Sequence, residues 1–316
     1  MRFAHSISHA RVQRACRALA VRASAALLTL ALLPASVSAT WSVIAMDIRT
    51  GRLVIASATC VPQERLLAFP ARGLMDIQAI VVPGVGAAVA QAGVDRTRAN
   101  QTLIYEQLKH GTPPVQILEL LRADPELERR QFAIVDLLGR SIGFSGTENS
   151  AASTSRQGQV PGTDIYYSVQ GNILASDAVV TEAAAALEAA DGDILDRVMA
   201  AMEAADAAGG DRRCTCDTEP VPEAPCDSRN AHVAYMLAAD PDDPEGESFN
   251  DGDYHMFIDV TDQNIQPTEN SNPVITLRMR YDRWKAERGG LASPANPSGA
   301  NPSGAIVSRA TSASSG

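Results

Sequence analysis

Two opening segments, residues 40–47 (TWSVIAMD) and 53–60 (LVIASATC), are apolar on both alternating faces, the pattern of strands covered on two sides. They read as a hairpin, with Arg49-Thr50-Gly51-Arg52 as its turn. Residues 79–92 (AIVVPGVGAAVAQA) are a third such run, in which Pro83, Gly84 and Gly86 mark a bulge or a close backbone approach. Helical spacing follows over 96–109, through Ala99, Leu103, Ile104 and Leu108, with Gly111 just past its end. A second helix opens at Pro113-Pro114, runs to Arg122 and is stopped by Asp124-Pro125. Residues 131–135 and 141–144 flank a turn and form a second hairpin. The polar stretch 147–162 reads as an exposed loop, and 164–172 as a strand ending in a tight turn. Two alanine-rich helices, 177–190 and 193–208, each open on an acid suited to N-capping. Residues 232–238 and 254–260 read as the last strands and 273–288 as a closing helix.

Both ends of the chain depart from this pattern. The first 39 residues carry five arginines and no acid, then an apolar run (AALLTLALL, 25–33), then small Val37 and Ala39. That order is a secretion signal with cleavage after Ala39, which leaves Thr40 as the first mature residue. The apolar run is far shorter than the roughly 20 residues that span a bilayer, so the mature chain is expected to be secreted or periplasmic, with no membrane anchor. From Gly289 to Gly316 the chain is rich in Ala, Ser, Pro and Gly and repeats ANPSG, a composition that buries too little to order itself. One domain, 40–288, lies between signal and tail.

Charge narrows the partners. Without its first 39 residues the chain holds 22 basic and 37 acidic residues, a net charge of −15, and nucleic acid is not an expected partner. Five cysteines fall to four, Cys60, Cys214, Cys216 and Cys226, once Cys16 leaves with the signal. An even count in an exported chain favours disulfides over zinc, since Cys214 and Cys216 are closer together than structural zinc pairs usually are. The pairing stays open.

Candidate chemistry centres on Thr40. At a new N-terminus, a threonine's own α-amine serves as the base for its hydroxyl. The competing reading is that Thr40 only begins a strand, for which threonine is well suited. The acidic loop 240–253 lacks the spacing of a calcium loop and reads as solvated, so no metal is expected. Gly84-Val85-Gly86 is too short for a dinucleotide site, and no cofactor is implied. His110, His232 and His255 stand without a nucleophile elbow or a zinc-protease motif. Gln91, Asn172 and Asp211-Arg212-Arg213 interrupt apolar or glycine-rich stretches, so they either brace the fold or line a pocket.

The runs VVPGVGAAVAQA (81–92), RQFAIVDLLGRSIGFSG (130–146), YSVQGNILA (167–175) and AGGDRR (208–213), in that order behind TWSVIA, resemble the domain of unknown function 1028 family. Membership implies an N-terminal-nucleophile (Ntn) hydrolase-like α+β fold, a four-layer αββα sandwich, which the order of hairpins, paired helices and late strands fits. It implies Thr40 as nucleophile on an amide or related acyl bond of a small or peptide-like substrate. Some relatives carry a peptidoglycan-binding module, which points to cell-wall substrates. Residues 149–157 depart from a tryptophan-containing segment common in that family. Supporting roles are assigned to Asn172 as oxyanion donor, to Ser57 as orienter of the amine, to Gln91 as a pocket residue, and to Asp211 as the holder of Arg212 there. The alternative is an exported binding or scaffold protein that keeps the fold without turnover, and homo-oligomer formation stays open.

Overall fold

The computed structural model describes residues 40–69 and 71–291, so the segment read as a signal and the tail from residue 292 lie outside the described residues. Two antiparallel sheets carry the described strands. The larger is built from β1 (Thr40–Asp47), β2 (Leu53–Thr59), β7 (Thr154–Gln159), β8 (Ile165–Asn172), β9 (Val233–Ala239) and β10 (Met256–Thr261), in the order β10-β9-β2-β1-β8-β7. The smaller has the order β3-β4-β5-β6, from β3 (Ala79–Val82), β4 (Gly86–Ala92), β5 (Arg130–Asp136) and β6 (Ser141–Ser145).

Apolar residues on both strand faces are explained by what covers each face. On β1, Trp41, Val43 and Ala45 pack with α5 (Ala178–Ala189), α6 (Ile194–Ala207) and α7 (Pro273–Leu291) through Val180, Val198, Met202 and Leu277. Ile44 and Met46 point the other way, into a cluster with Leu53, Ile55, Val81, Val89, Ala133 and Val135 that joins the two sheets. The outer face of the smaller sheet, with Ile80, Val82, Phe132 and Ile134, is covered by α3 (Ala99–Lys109) and α4 (Pro114–Leu121). Burying one large aliphatic side chain is worth about 1.5–3 kcal/mol, so these three clusters carry the fold. The chain is therefore α+β, with helices on the outer faces of two antiparallel sheets. Among the described residues no helix is long and apolar enough to cross a membrane.

Four local features differ from the sequence reading. The run 79–92 is itself a hairpin: Val85 N–H closes onto Val82 O at 3.0 Å, with Pro83 before Gly84 at φ +66°, the arrangement of a type II turn. Part of the expected loop 147–162 is the edge strand β7, whose ladder with β8 needs no apolar side chains. Asp193 caps α6 through the N–H groups of Leu195 and Asp196, whereas Asp177 makes no side-chain cap to α5. The closing helix α7 runs past Arg288 to Leu291. Two short helices between β2 and β3, α1 (Gln63–Leu66) and α2 (Leu74–Gln78), are too brief to show a period.

Candidate active site

Side chains alternate along a strand, so the positions that follow Ile44 and Met46 in register also face the smaller sheet. At one end of the inter-sheet layer those positions are polar: Thr40 and Ser42 on β1, Ser57 and Thr59 on β2, Gln170 and Asn172 on β8. The smaller sheet answers with Gln91, after Ala87 and Val89, and with Gln131, before Ala133 and Val135. Backbone register puts Asn172, Thr40, Thr59, Val233 and Thr261 in one row across the larger sheet. All of these polar residues are buried.

Hydrogen bonds cross between the sheets here. Gln91 accepts from Ser42 Oγ at 2.8 Å and donates from Nε2 to Thr40 O at 3.2 Å and to Gln131 Oε1 at 2.7 Å. Gln131 Oε1 also accepts from Asn172 Nδ2 at 3.2 Å, while its Nε2 donates to Gly171 O at 2.8 Å. Thr40 Oγ1 donates to Thr59 Oγ1 at 3.3 Å. Asn172 Oδ1 and both ends of the Gln170 amide are buried with no partner among the described residues.

A narrow cleft opens onto Thr40, bordered by Thr59, Leu66, Leu74, Gln78 and Gln91, and it offers about 10 Å3 to a water-sized sphere. That is room for about one water molecule. Among the described residues no carboxylate, lysine, arginine or histidine lines it. His232 lies on the opposite face of the sheet, where burial and the charges of Arg229 and Arg213 lower its pKa to about 4 and keep it neutral. Thus the Thr40 hydroxyl has polar neighbours and no side-chain base.

A model of a family of unknown function, DUF1028, matches residues 40–217, which contain Thr40 and every other member of this network. The chain belongs to the DUF1028 family. Protein SPO2555 from Silicibacter pomeroyi, whose crystal structure carries the same family model, is similar at 22% identity with a TM-score of 0.55, over 78% of this chain and 89% of that one. No curated protein matches.

In this DUF1028 chain the sequence-predicted residues divide. Thr40, Gln91 and Asn172 come together. Ser57 sits one pair deeper, opposite Ser42, and its Oγ donates to Trp41 O at 2.8 Å, so it braces the strand that bears Thr40. Asp211 is buried at the end of β2, where it accepts from Cys60 N–H at 2.9 Å. Its cation is Arg213, at 2.7 Å, and not Arg212, which is exposed and reaches only Ser150. Adjacent guanidinium groups on an irregular loop point different ways, which spacing alone does not reveal. Cys60–Cys214 and Cys216–Cys226 are disulfides, so all four sulfurs are used, and they fit an oxidising compartment. Gln131, Thr59 and Gln78 were missed. For the first two a signal existed: each continues a strand's inter-sheet positions with a polar residue.

Proposed function

We propose that this protein is a secreted or periplasmic N-terminal-nucleophile hydrolase acting on an amide or related acyl bond, built on the four-layer αββα sandwich. The observation that carries it is a buried threonine hydroxyl at the first position of β1, among polar groups from both sheets, with no side-chain acid or base among the described residues of its cleft. A hydroxyl in that setting needs a base within reach, and removal of residues 1–39 would supply one, the α-amine of Thr40 itself. The amine, with an ordinary pKa near 8, is already partly neutral at pH 7.

In the proposed reaction Thr40 Oγ attacks the acyl carbon, and its proton passes to the amine. The amine then gives that proton to the leaving nitrogen as the carbon–nitrogen bond breaks, and the resulting ester is cleaved by a water that the same amine deprotonates. Asn172, paired with Thr40 across β1 and β8, is the proposed oxyanion donor; its Nδ2 exchanges Gln131 Oε1 for the developing charge. Such a donor is typically worth about 10²–10³ in rate. Gln91 holds the Thr40 carbonyl, Ser57 the next one, and Asp211 the end of β2.

Acylation by a broad electrophile, read by intact mass, tests this without a known substrate. Thr40→Ala should lose about 10⁴-fold or more, because only binding and oxyanion stabilisation survive. Thr40→Ser should keep part of the labelling. One extra residue ahead of Thr40 should damage it almost as much as alanine does, since an amide nitrogen accepts no proton. Equal labelling of all forms overturns the proposal in favour of a non-catalytic binding protein on the same fold.

A further inference from the structure

We propose that the pocket beside the Thr40 cleft is a specificity subsite for a cationic side chain on an apolar stem. The pocket has a volume of about 380 Å3 and shares Leu74 with the cleft, so the two adjoin at that residue. It also shares the row of paired residues: Val233 and Thr261 line it, and Val233 stands two strands from Thr40. At strand spacing that is about 10 Å, the reach of one residue and its side chain. The assignment as a substrate subsite rests on the reading of Thr40 as nucleophile; the binding does not.

The wall chemistry selects the ligand. Tyr235, Tyr254 and Phe257 supply aromatic surface, with the Tyr235 and Phe257 rings 6.4 Å apart. Asp251, Asp253 and Asp259 also line the pocket, and no cation pairs with any of them among the described residues. Arg72, also lining it, is drawn to Asp76 at 3.6 Å, and Asp76 is further held by Arg98. An ammonium or guanidinium group is attracted both by unpaired carboxylates and by ring faces, whereas an anion meets repulsion.

A second observation points to a ligand independently of the acids. Tyr235 is 1% exposed, lines the pocket, and its hydroxyl is buried without a partner among the described residues. A buried phenol left unpaired has given up the hydrogen bonds it makes to water, a loss that a donor on the ligand offsets by bonding to its oxygen. Burial also raises its pKa, so the group stays neutral and its oxygen keeps lone pairs that can accept from an ammonium N–H once a ligand seats against it.

The test is a titration of the full chain with benzylamine, benzyl alcohol and phenylacetate, which share a stem and differ in charge, followed by ligand-observed NMR at low salt. Benzylamine should bind at least tenfold more tightly than the other two. The double variant Asp253→Asn/Asp259→Asn, whose sites are exposed, should keep the wild-type Tm and bring the three ligands within about twofold. Tyr235→Phe should weaken benzylamine severalfold. Thr40→Ala should bind as the wild type does, so a failed nucleophile and a failed subsite are told apart. Equal binding of all three ligands, an amine preference that survives the double variant, or displacement of benzylamine by micromolar calcium would each overturn the subsite.

Discussion

The layer between the two sheets has two unlike ends. At one, Ile44, Met46, Leu53, Ile55, Val81 and Val135 interdigitate with no polar atom among them. At the other, the same strands present Thr40, Ser42, Ser57 and Thr59 to Gln91 and Gln131, and some amide atoms find no partner among the described residues. Apolar contact stabilises wherever shapes fit, but a buried amide must find its partners or lose free energy. The polar end is therefore the costlier way to join two sheets, and the nucleophile site proposed above is our reason for it. Ties outside the layer compensate: the Cys60–Cys214 bridge and Asp211, which accepts from Cys60 N–H, both fasten the end of β2 there.

Breaking those ties should have the largest effect. The bridge closes a sequence separation of 154 residues, so Cys60→Ser with Cys214→Ser should cost about 5 kcal/mol in urea unfolding on the chain-entropy account, itself model-dependent. A loss under about 1 kcal/mol would mean that the polar end holds without covalent help. At the apolar end, Ile55→Ala should cost about 3–4 kcal/mol and leave electrophile labelling of the folded protein unchanged. Altered labelling there would show that the two ends are not separable.

The larger sheet should also be pH-sensitive beside the polar end, on the face turned away from the smaller sheet. His232 titrates near 6.5 unfolded and at about 4 folded, so between those values the unfolded chain takes up a proton that the native one refuses. Its contribution is full above pH 6.5 and is lost as pH falls toward 4, up to about 3 kcal/mol. Urea midpoints should fall more steeply over this window for wild type than for His232→Gln, and parallel curves would remove His232 as the cause. Smallest in stability is Gln131→Leu, expected to cost about 2 kcal/mol because two amide donors lose an acceptor. Labelling should nevertheless drop about tenfold or more, through misplacement of Asn172 and Gln91. A Gln131→Leu chain that loses stability but labels normally would make the polar network a brace alone.

Much of this was legible in the chain. The first hairpin, the strand 165–172, the α3–α4 pair and the α5–α6 pair each show their own period or punctuation, because local spacing decides them. The strand β7 was not legible: TSRQGQ has no apolar alternation, and only the edge of β8 makes it a strand. Nor were α1 and α2, whose Leu66 and Leu74 border the Thr40 cleft. Of the site, Thr40 stood out by its place after the expected signal cleavage, and Gln91 and Asn172 as polar residues in apolar or glycine-rich company. Gln131 was passed over because a polar residue near a strand's start is ordinary, although it continues the inter-sheet positions of Ala133 and Val135.

The sequence by itself determined the β1–β2 and β5–β6 hairpins and that the first of them is covered on both faces, since strand period and turn chemistry act over a few residues. It also determined that four cysteines would be oxidised, but not which pairs. Only the tertiary structure decided that Gln91 and Gln131 meet Thr40 and Asn172, that Asp211 takes Arg213 in place of Arg212, and that Cys60 joins Cys214. Each of these unions depends on how one sheet or loop is laid against another, and that arrangement minimises the free energy of the whole core at once, so no local window of the chain records it.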